Sequence, residues 1–419
     1  MQKEVPYGNF VQYTPPMFGF NRRVYLDYAS ATPVLPAAAD AVRKAMNVFA
    51  NPGGIHAESV AAKRILEDSR ECIAAHLGCK SREIIFTSGL TEANNIAIVG
   101  MASSLWRTRR TLAGTHWIVS SIEHASVLEC FAEVERLGGE VTHVNPMPNG
   151  VFSPEKIVSA LRPETVFISI GWANNEIGTI QPLSAIAQAL REYEREYKTR
   201  ILFHSDAGQA PLYHSPHVHT LGVDLCSLGS GKLYGPRGVG ALYISNKVRL
   251  APVMFGGGQE RGLRSGTEDP ALAAGFAKAL DVIACSPRHG RGEREAESKR
   301  LAKLRDNFAG EIIAHLPARA GIPGVLINGD LKHSLPHMLN ISIPGERTGE
   351  YLALTLDHAG IALSTKSACN EGEKASHVVA ALGGESWRAT NTLRFSLGRD
   401  TTDRDLKRAL DILKRTISP

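Results

Sequence analysis

Five short clusters of reactive and small polar residues each follow a run that predicts a buried β-strand. The clusters are Thr87-Ser88-Gly89-Leu90-Thr91, Glu123-His124, Asn174-Asn175-Glu176, Asp206-Ala207-Gly208-Gln209 and Gly229-Ser230-Gly231-Lys232. Between them they supply a lysine, a carboxylate, an imidazole ring, and glycine and hydroxyl groups of the kind that hold a phosphate. Functional residues of a doubly wound sheet gather at the carboxyl ends of its strands, so we expect these clusters to meet in one crevice.

Pyridoxal phosphate chemistry requires this combination of groups. A lysine must bond to the cofactor aldehyde and later carry a proton, and a carboxylate must keep the pyridine nitrogen protonated. An aromatic or imidazole ring must lie on the cofactor face. Asp206 and Lys232 are one strand–loop–strand step apart, so both can face one crevice. The pattern alone does not single out this cofactor, because any α/β enzyme has aspartate and lysine at strand ends.

The segments that would position these clusters alternate between strand and helix patterns. Strand-like runs rich in β-branched and aromatic residues cover 83–88, 116–121, 165–170, 201–205 and 239–245. Helical patterns cover His56–Leu77, which stops before Gly78, and Leu183–Tyr197, which follows Pro182. This order implies parallel βαβ units, and hence an α/β fold with a mostly parallel sheet covered by helices.

The sequence changes character near residue 286, where we predict a domain boundary. Residues 287–307 are dense in both charges and predict a solvated helix. Beyond it, strands near 338–343 and 392–397 and helices near 349–359 and 403–415 predict a smaller α+β domain, which the N-terminus is expected to join. We therefore predict a large domain over 36–286 and a small domain over 1–35 and 287–419.

Composition excludes several classes of protein. The chain is 43% hydrophobic and 21% charged, which is typical of globular proteins. A net charge of +5 over this length is too weak to indicate a nucleic-acid or membrane partner. No apolar run approaches the roughly 18 residues of a membrane-spanning helix. The six cysteines are scattered and form no C-x-x-C pair, so we expect a cytoplasmic enzyme in a reducing compartment.

Nine segments, in order, resemble those of cysteine desulfurases of the NifS/IscS type, a group within the class V, fold-type I pyridoxal phosphate enzymes. They are YLDYASATP (25–33), FTSGLTEANNIAI (86–98), EHASVL (123–128), NNEIG (174–178), DAGQ (206–209), KLYGPRGVGALY (232–243), GGGQERGLRSGT (256–267), SAC (367–369) and LRFSLG (393–398). The resemblance covers about residues 25–400, and the cysteine segment has the S-x-x-S-A-C form.

The resemblance implies a role for each matching residue of the cofactor site. It implies that Lys232 bonds to the cofactor, that Asp206 pairs with the pyridine nitrogen, and that Gln209 hydrogen-bonds the phenolate oxygen. It also implies that His124 stacks on the ring and assists proton transfer. Leu90 and Thr91 would form part of the phosphate cup, and Thr267 would complete the cup of the partner subunit in a homodimer.

The resemblance also implies the substrate and the reaction. Asn175 and Arg394 would bind the carboxylate of L-cysteine, which suits the bidentate geometry of a guanidinium. Cys369 would be the nucleophile, which takes the sulfur as a persulfide and leaves L-alanine. Lys366 favours the Cys369 thiolate and Glu371 and Glu373 oppose it, so the sequence leaves the net effect open.

Several alternatives stay open at this stage. The sulfur acceptor would be an iron–sulfur scaffold, a tRNA-thiolation relay or a DNA-sulfur-modification system, and no direct binding of nucleic acid or membrane is expected. A selenocysteine lyase, another class V enzyme or a non-catalytic scaffold of the same fold would share Lys232 and Asp206. His204, His214, His217 and His219 offer metal ligands. The stretch PLYHSPHVHT has two prolines and no neighbouring acidic ligand, which favours a solvated connection, so we expect no metal site.

One loop departs from the family pattern. Similar enzymes usually have Ser-Gly-His-Lys where this chain has Gly229-Ser230-Gly231-Lys232. A hydroxyl and an imidazole that help to hold the phosphate are therefore missing from their usual places. We expect Ser230, displaced by one position, to restore one hydrogen bond, and the cofactor to be held more weakly than in similar enzymes.

Overall fold

The computed structural model describes residues 23–283, 292–318, 324–366 and 375–417. The strands within these ranges are β1 (Val24–Tyr25), β2 (Ile84–Thr87), β3 (His116–Ser120), β4 (Glu140–Val144), β5 (Thr165–Ser169), β6 (Leu202–Asp206), β7 (Leu225–Gly229), β8 (Gly240–Ile244), β9 (Leu326–Ile327), β10 (Met338–Ser342), β11 (Ile361–Ala362) and β12 (Thr392–Ser396). The α-helices there are α1 (Pro36–Ala45), α2 (Ala57–Leu77), α3 (Leu90–Arg109), α4 (Ala125–Arg136), α5 (Pro154–Ser159), α6 (Leu183–Tyr197), α7 (Val218–Leu221), α8 (Pro270–Ile283), α9 (Gly292–His315), α10 (Gly349–His358), α11 (His377–Ala381), α12 (Trp387–Thr390) and α13 (Asp403–Ile417).

The largest sheet has the strand order β2-β8-β7-β6-β5-β3-β4. Its neighbours pair in parallel from β4 to β7, whereas β8 runs antiparallel to both β7 and β2. This confirms the expected mostly parallel α/β sheet. Because β3, β5, β6 and β7 run the same way, the segments that follow them emerge at one edge of the sheet.

Helices cover both faces of this sheet, and the alternation of strand side chains explains how. Ile84 and Phe86 of β2 join one apolar core with α2, α6 and α8, whereas Ile85 between them joins a second core with α3 and α4. Successive strand residues point to opposite faces, so each strand supplies both cores. This is why the predicted strands read as continuous apolar runs.

A third core forms around a smaller sheet. Antiparallel strands in the order β12-β10-β9 pack with α9, α10 and α13, and Val24 of β1 belongs to the same core. β1 pairs in parallel with β11, which ties residues 24–25 to this unit. The helix expected to be solvated packs here, since Leu301, Phe308 and Ile312 of α9 are buried. The predicted boundary at 286/287 lies outside the described residues.

Across the described ranges, every helix is too short or too polar to cross a membrane.

Candidate active site

The strand-end clusters line a cavity at the carboxyl edge of the large sheet. This inner cavity encloses about 450 Å³, open solvent included. The sequence-predicted residues that line it are Leu90, His124, Asn175, Asp206, Gln209 and Lys232. An outer cavity of about 750 Å³ shares Leu90, His124, Asn175 and Lys232 with it, and adds Thr91 and Arg394. The structure therefore gathers eight of the predicted site residues around two adjoining cavities.

Asp206 is held in a fixed orientation at the end of β6. Its Oδ2 accepts a hydrogen bond from Asn94 Nδ2 at 2.8 Å, and its Oδ1 accepts one from the Gly208 N–H at 2.9 Å. These two donors fix the direction in which the carboxylate faces the cavity. No role was predicted for Asn94, although it lies within the segment 86–98 that resembles the family and follows Leu90 by one helical turn.

His124 precedes α4 and caps its N-terminus. Nδ1 accepts the Ser126 N–H at 3.1 Å, so the ring proton of the neutral imidazole is on Nε2. Ser126 Oγ lies 2.9 Å from the same Nδ1 and 2.9 Å from Asn94 Nδ2, which connects His124 to the group that orients Asp206. Burial and the Lys232 charge lower the His124 pKa, while Asp206 opposes them. The neutral ring is therefore the favoured form.

Gln209 carries an unsatisfied polar atom in the inner cavity. Its Nε2 donates to the Ala29 carbonyl at 2.8 Å, whereas its buried Oε1 has no hydrogen-bond partner among the described residues. Since a phenolate oxygen needs a donor, the second N–H of Nε2 is the group available for the predicted contact.

The N-terminus of α3 provides a place for an anion. Its N-cap residue, Gly89, has no side chain to cap the first N–H groups. A Cβ added to Gly208 would lie 2.5 Å from Leu90, and one added to Gly229 would lie 3.1 Å from it. These glycines allow close packing around the start of α3, where unpaired N–H groups and the helix dipole favour a phosphate.

Ser230 and Thr267, the latter predicted to serve the partner subunit, do not line the two cavities. Ser230 is fully buried and is not among the residues that line either cavity. A Cβ on Gly235 would lie 2.0 Å from Ser230 Oγ, so this hydroxyl points at Gly235. Ser230 and Lys232 are two residues apart in the tight turn 230–232, and side chains at that spacing point in different directions. This explains why Ser230 does not line the cavities that Lys232 lines. Thr267 is exposed and lies outside both cavities of its own chain.

Arg394 of β12 lies at the junction of the small sheet and the outer cavity. Its Nη2 binds Asp27 Oδ1 at 2.6 Å and Ser30 Oγ at 2.7 Å, and its Nη1 donates to the Asn175 carbonyl at 2.8 Å. Its Nε has no partner within the described part of the chain. A substrate carboxylate would therefore bind Nε, or take the place of Asp27 on the guanidinium. No role was predicted for Asp27.

The predicted nucleophile Cys369 lies outside the described residues, as does Cys285. Ser364 forms a backbone bridge with Arg394, with N···O distances of 2.6 and 3.3 Å. The remaining cysteines are Cys72, Cys79, Cys130 and Cys226, and all four are free. Burial raises the pKa of Cys79 and of Cys130 to about 12, which makes them poor nucleophiles.

Glu123 is a buried acid that lines the inner cavity, and the sequence did not predict its protonation state. Its Oε1 accepts the Gly171 N–H at 2.7 Å. Burial, assisted by the nearby Asp206 charge, raises its pKa to about 8. Glu123 is therefore mostly protonated at neutral pH.

The histidines considered as metal ligands do not form a site. His204 lies inside the large sheet, where its ring nitrogens meet Ser169 Oγ at 2.8 Å and Ser227 Oγ at 3.0 Å. Burial lowers its pKa to about 4, so it is neutral. No group of three or more His, Cys, Asp or Glu side chains within the described ranges has a metal-binding arrangement.

Known proteins are similar to this chain over nearly all of its length. The family model for aminotransferase class-V matches residues 24–409. A protein named cysteine desulfurase IscS from Dictyoglomus turgidum is 39% identical over 94% of this chain and 95% of its own length. A solved NifS-like protein superposes with a TM-score of 0.83 at 30% identity, covering 94% of this chain and 99% of the other. A structure titled SspA in complex with cysteine has a TM-score of 0.73 at 31% identity, covering 89% and 98% respectively.

Proposed function

The chain belongs to the class-V aminotransferase family, among its cysteine desulfurases, and we therefore propose that it uses pyridoxal phosphate to convert L-cysteine to L-alanine. The observation that carries this proposal is that Lys232 and Asp206 line one cavity together with His124 and Gln209. The cavity thus contains a lysine that can bond to the cofactor, an acid for its ring nitrogen, an imidazole for its face and an amide for its phenolate oxygen. The structure titled as a cysteine complex of a relative supports the choice of substrate.

The residues of the cavities fit the cofactor. The second N–H of Gln209 Nε2 is available for the phenolate oxygen, and the uncapped start of α3 suits a phosphate. Leu90 and Thr91 would hold the phosphate end, and Lys232 would bind the aldehyde. When bound, pyridoxal phosphate supplies an acceptor for the electrons released at the substrate α-carbon.

The protein's own groups direct protons in this reaction. Asp206, fixed by Asn94 and Gly208, holds a proton on the ring nitrogen through its charge. The Lys232 amine would be the group that moves the α-proton of the substrate. His124 is neutral, with its proton on Nε2, and so presents a hydrogen-bond donor to the cavity.

Arg394 and Asn175 would orient the substrate by its carboxylate. The Arg394 guanidinium lies beside the Asn175 carbonyl and is held by Asp27 and Ser30, so it is already oriented before substrate arrives. A preorganised cation of this kind loses little entropy when it binds a carboxylate.

Cys369 would accept the sulfur. Its thiolate attacks the sulfur atom of bound cysteine, and an S–S bond forms as the C–S bond breaks. The electron pair of the broken bond remains on carbon, where a proton completes L-alanine. The product on the enzyme is a Cys369 persulfide, which an acceptor protein such as an iron–sulfur scaffold or a thiolation relay would remove.

The enzyme would work as a cytoplasmic homodimer. Thr267 is exposed in its own chain, as expected of a residue that completes the partner's phosphate site. A bridge between Met254 and Arg264 closes the part of the chain just before Thr267, where Met254 and Phe255 are 47% and 76% exposed. These adjacent apolar side chains would be covered in a dimer. Free thiols at the four described cysteines fit a reducing compartment.

The proposal is tested by incubating the enzyme, loaded with pyridoxal phosphate, with L-cysteine and measuring alanine and persulfide. We expect wild type to form both, and Lys232→Ala and Cys369→Ala to form neither at a comparable rate. Alanine formation that survives Cys369→Ala, or a preference for selenocysteine, would indicate another class V activity. A wild-type protein that does not bind the cofactor would indicate a non-catalytic scaffold.

A further inference from the structure

The guanidinium of Arg394 already holds a carboxylate, that of Asp27. Its Nη2 donates to Asp27 Oδ1 at 2.6 Å and to Ser30 Oγ at 2.7 Å, and its Nη1 donates to the Asn175 carbonyl at 2.8 Å. Nη2 carries two N–H groups, so the contacts with Asp27 and Ser30 occupy both of them. The Arg394 side chain is 1% exposed, whereas that of Asp27 is 20% exposed. The cation is thus enclosed, and its partner keeps some contact with solvent.

A substrate carboxylate can bind this guanidinium through two N–H groups only where Nη2 takes part. Cδ blocks the edge beside Nη1, so the edges left for a bidentate carboxylate are Nε–Nη2 and Nη1–Nη2. Each of these edges uses one of the two N–H groups that bind Asp27 and Ser30. A bidentate carboxylate therefore either takes the place of Asp27 or displaces Ser30 and lies on the same nitrogen as Asp27.

The backbone keeps Asp27 next to Arg394. Asp27 forms a parallel bridge with Ser396, which follows Arg394 by two residues in β12. The Asp27 carbonyl also accepts the Tyr25 hydroxyl at 2.9 Å. The carboxylate is thus held at the guanidinium by the small sheet itself, independently of the large sheet that supplies Asn175.

Charge gives this arrangement two opposite effects. A buried guanidinium without an anion is costly, so Asp27 stabilises the site before an amino acid binds. A substrate carboxylate brings a second negative charge to the same guanidinium, and like charges so close together oppose each other. Asp27 therefore reduces the free energy that Arg394 gains from the substrate. The product L-alanine has the same carboxylate and is affected in the same way.

We propose that Asp27 competes with the carboxylate of the amino acid for Arg394, and thereby limits the affinity of the site for L-cysteine and L-alanine. This inference rests on the proposed function, because it concerns the amino acids that the proposed reaction uses. It assigns to Asp27 a role in the binding of the carboxylate and none in the binding of the cofactor or in the transfer of sulfur.

The test measures the dissociation constant of L-alanine from the enzyme loaded with pyridoxal phosphate, by isothermal titration calorimetry. Asp27→Asn removes the charge but keeps an oxygen that accepts from Nη2, so Arg394 should stay in place. We expect this variant to bind L-alanine on the order of tenfold more tightly, since a neighbouring charge shifts the pKa of a carboxyl group by about one to three units. The apparent KM for L-cysteine should fall as well.

Two controls separate competition for the carboxylate from other effects. L-Alaninamide has the shape of L-alanine without its carboxylate charge, and should bind equally to wild type and Asp27→Asn. Asp357→Asn removes an exposed acid that pairs with Arg23, and should bind L-alanine as wild type does.

The outcomes are distinct. Unchanged or weaker binding of L-alanine by Asp27→Asn would overturn the inference, because Asp27 would then only orient Arg394. An equal gain in affinity for L-alaninamide would also overturn it. Wild type that binds L-alanine but forms none from L-cysteine would instead contradict the proposed function, and the comparison of L-alanine binding would still decide the role of Asp27.

Discussion

At the scale of single residues, the site depends on a short polar chain that fixes Asp206. Asn94 Nδ2 lies within hydrogen-bond distance of both Asp206 Oδ2 and Ser126 Oγ, and Ser126 in turn contacts His124. The acid and the ring that would flank the cofactor are therefore oriented by the same amide. Asn94 is fully buried, so its loss cannot be compensated by solvent.

We expect Asn94→Ala to lower kcat about 10- to 100-fold, since a hydrogen bond to a charged group contributes about 1.5–3 kcal/mol. The assay is alanine formation per bound cofactor. Asn95→Ala is the matched control, because Asn95 is the next residue in α3 and its side chain donates only to the Thr91 carbonyl at 2.9 Å. Equal losses of activity in the two variants would contradict the role of Asn94.

Glu123 should make stability depend on pH. Burial raises its folded-state pKa to about 8 from the usual 4.5, so its stabilising contribution is complete below about pH 4.5 and is lost as pH rises towards 8. Over that interval the free energy of unfolding should fall by up to about 1.4 kcal/mol per pH unit from this group.

The measurement is urea unfolding of wild type and Glu123→Gln at pH 5, 6.5 and 8. The difference between the two proteins isolates Glu123 from the buried histidines, whose pKa values are lowered and whose contribution has the opposite sign. We expect wild type to lose stability relative to Glu123→Gln as pH rises. A difference that stays constant with pH would show that Glu123 is not protonated in the folded protein.

At the scale of elements, the sequence predicted a helix correctly where the residues that start or end it lie within or next to that helix. α2 ends at Gly78, whose φ of 65° is the left-handed cap that glycine favours, and α6 spans Leu183–Tyr197 as predicted. The strand β4 was missed because its residues are mostly exposed or half-buried at the sheet edge. The strand β7 was implied only by the cluster that follows it, because the short run LCSLG has few β-branched or aromatic residues.

Contacts between distant elements left no such signal. Ser230 was predicted to hold the phosphate, but its hydroxyl points at Gly235. The turn 230–232 decides that direction. Likewise, the pairing of Arg394 with Asp27 and the contact between Ser376 and Glu176 join residues more than 150 positions apart. Spacing along the chain does not reveal such pairs.

The loop that carries Thr267 is held by one buried ion pair. Arg70 of α2 binds both carboxylate oxygens of Glu260, at 2.7 and 2.8 Å, and the Phe86 N–H donates to the same group. Glu260 has a positive φ of 45°, a conformation that the surrounding contacts must maintain.

We expect Glu260→Ala to lower the free energy of unfolding by about 3–5 kcal/mol, because it leaves the Arg70 charge buried without its main partner. Glu140→Ala is the control, since Glu140 pairs with Arg162 at an exposed site and should change stability by less than about 1 kcal/mol. Urea unfolding of the two variants gives the comparison. Similar losses in both would contradict the structural importance assigned to the buried pair.

At the scale of the whole molecule, the two adjoining cavities form where the large sheet meets the smaller one. Arg394 comes from the small sheet, whereas Lys232, Asp206 and Asn175 follow strands or turns of the large one. Residues 24–25 also join the smaller unit, because β1 pairs with β11. The order of strands and clusters predicted the large-sheet half of the site, and the family resemblance was needed for Arg394.

The proposed dimer gives an expectation at this scale. Phe255→Glu places a charge in the exposed loop before Thr267 and should shift the protein from dimer to monomer, with weaker retention of the cofactor. Leu354→Glu is the control, since Leu354 is also exposed, at 72%, but lies on α10 far along the chain from that loop. Light scattering coupled to size-exclusion chromatography measures the state. A wild-type monomer that retains the cofactor fully would contradict the shared site.

The central claim is that the Lys232 amine binds the cofactor aldehyde in the cavity that also contains Asp206. Borohydride reduction of the protein loaded with pyridoxal phosphate fixes the cofactor on the amine to which it is attached, and peptide mass spectrometry locates it. We expect one pyridoxyl group per chain, on the peptide that contains Lys232, and none there in Lys232→Ala. A label spread over surface lysines, or absent from residue 232, would contradict the claim.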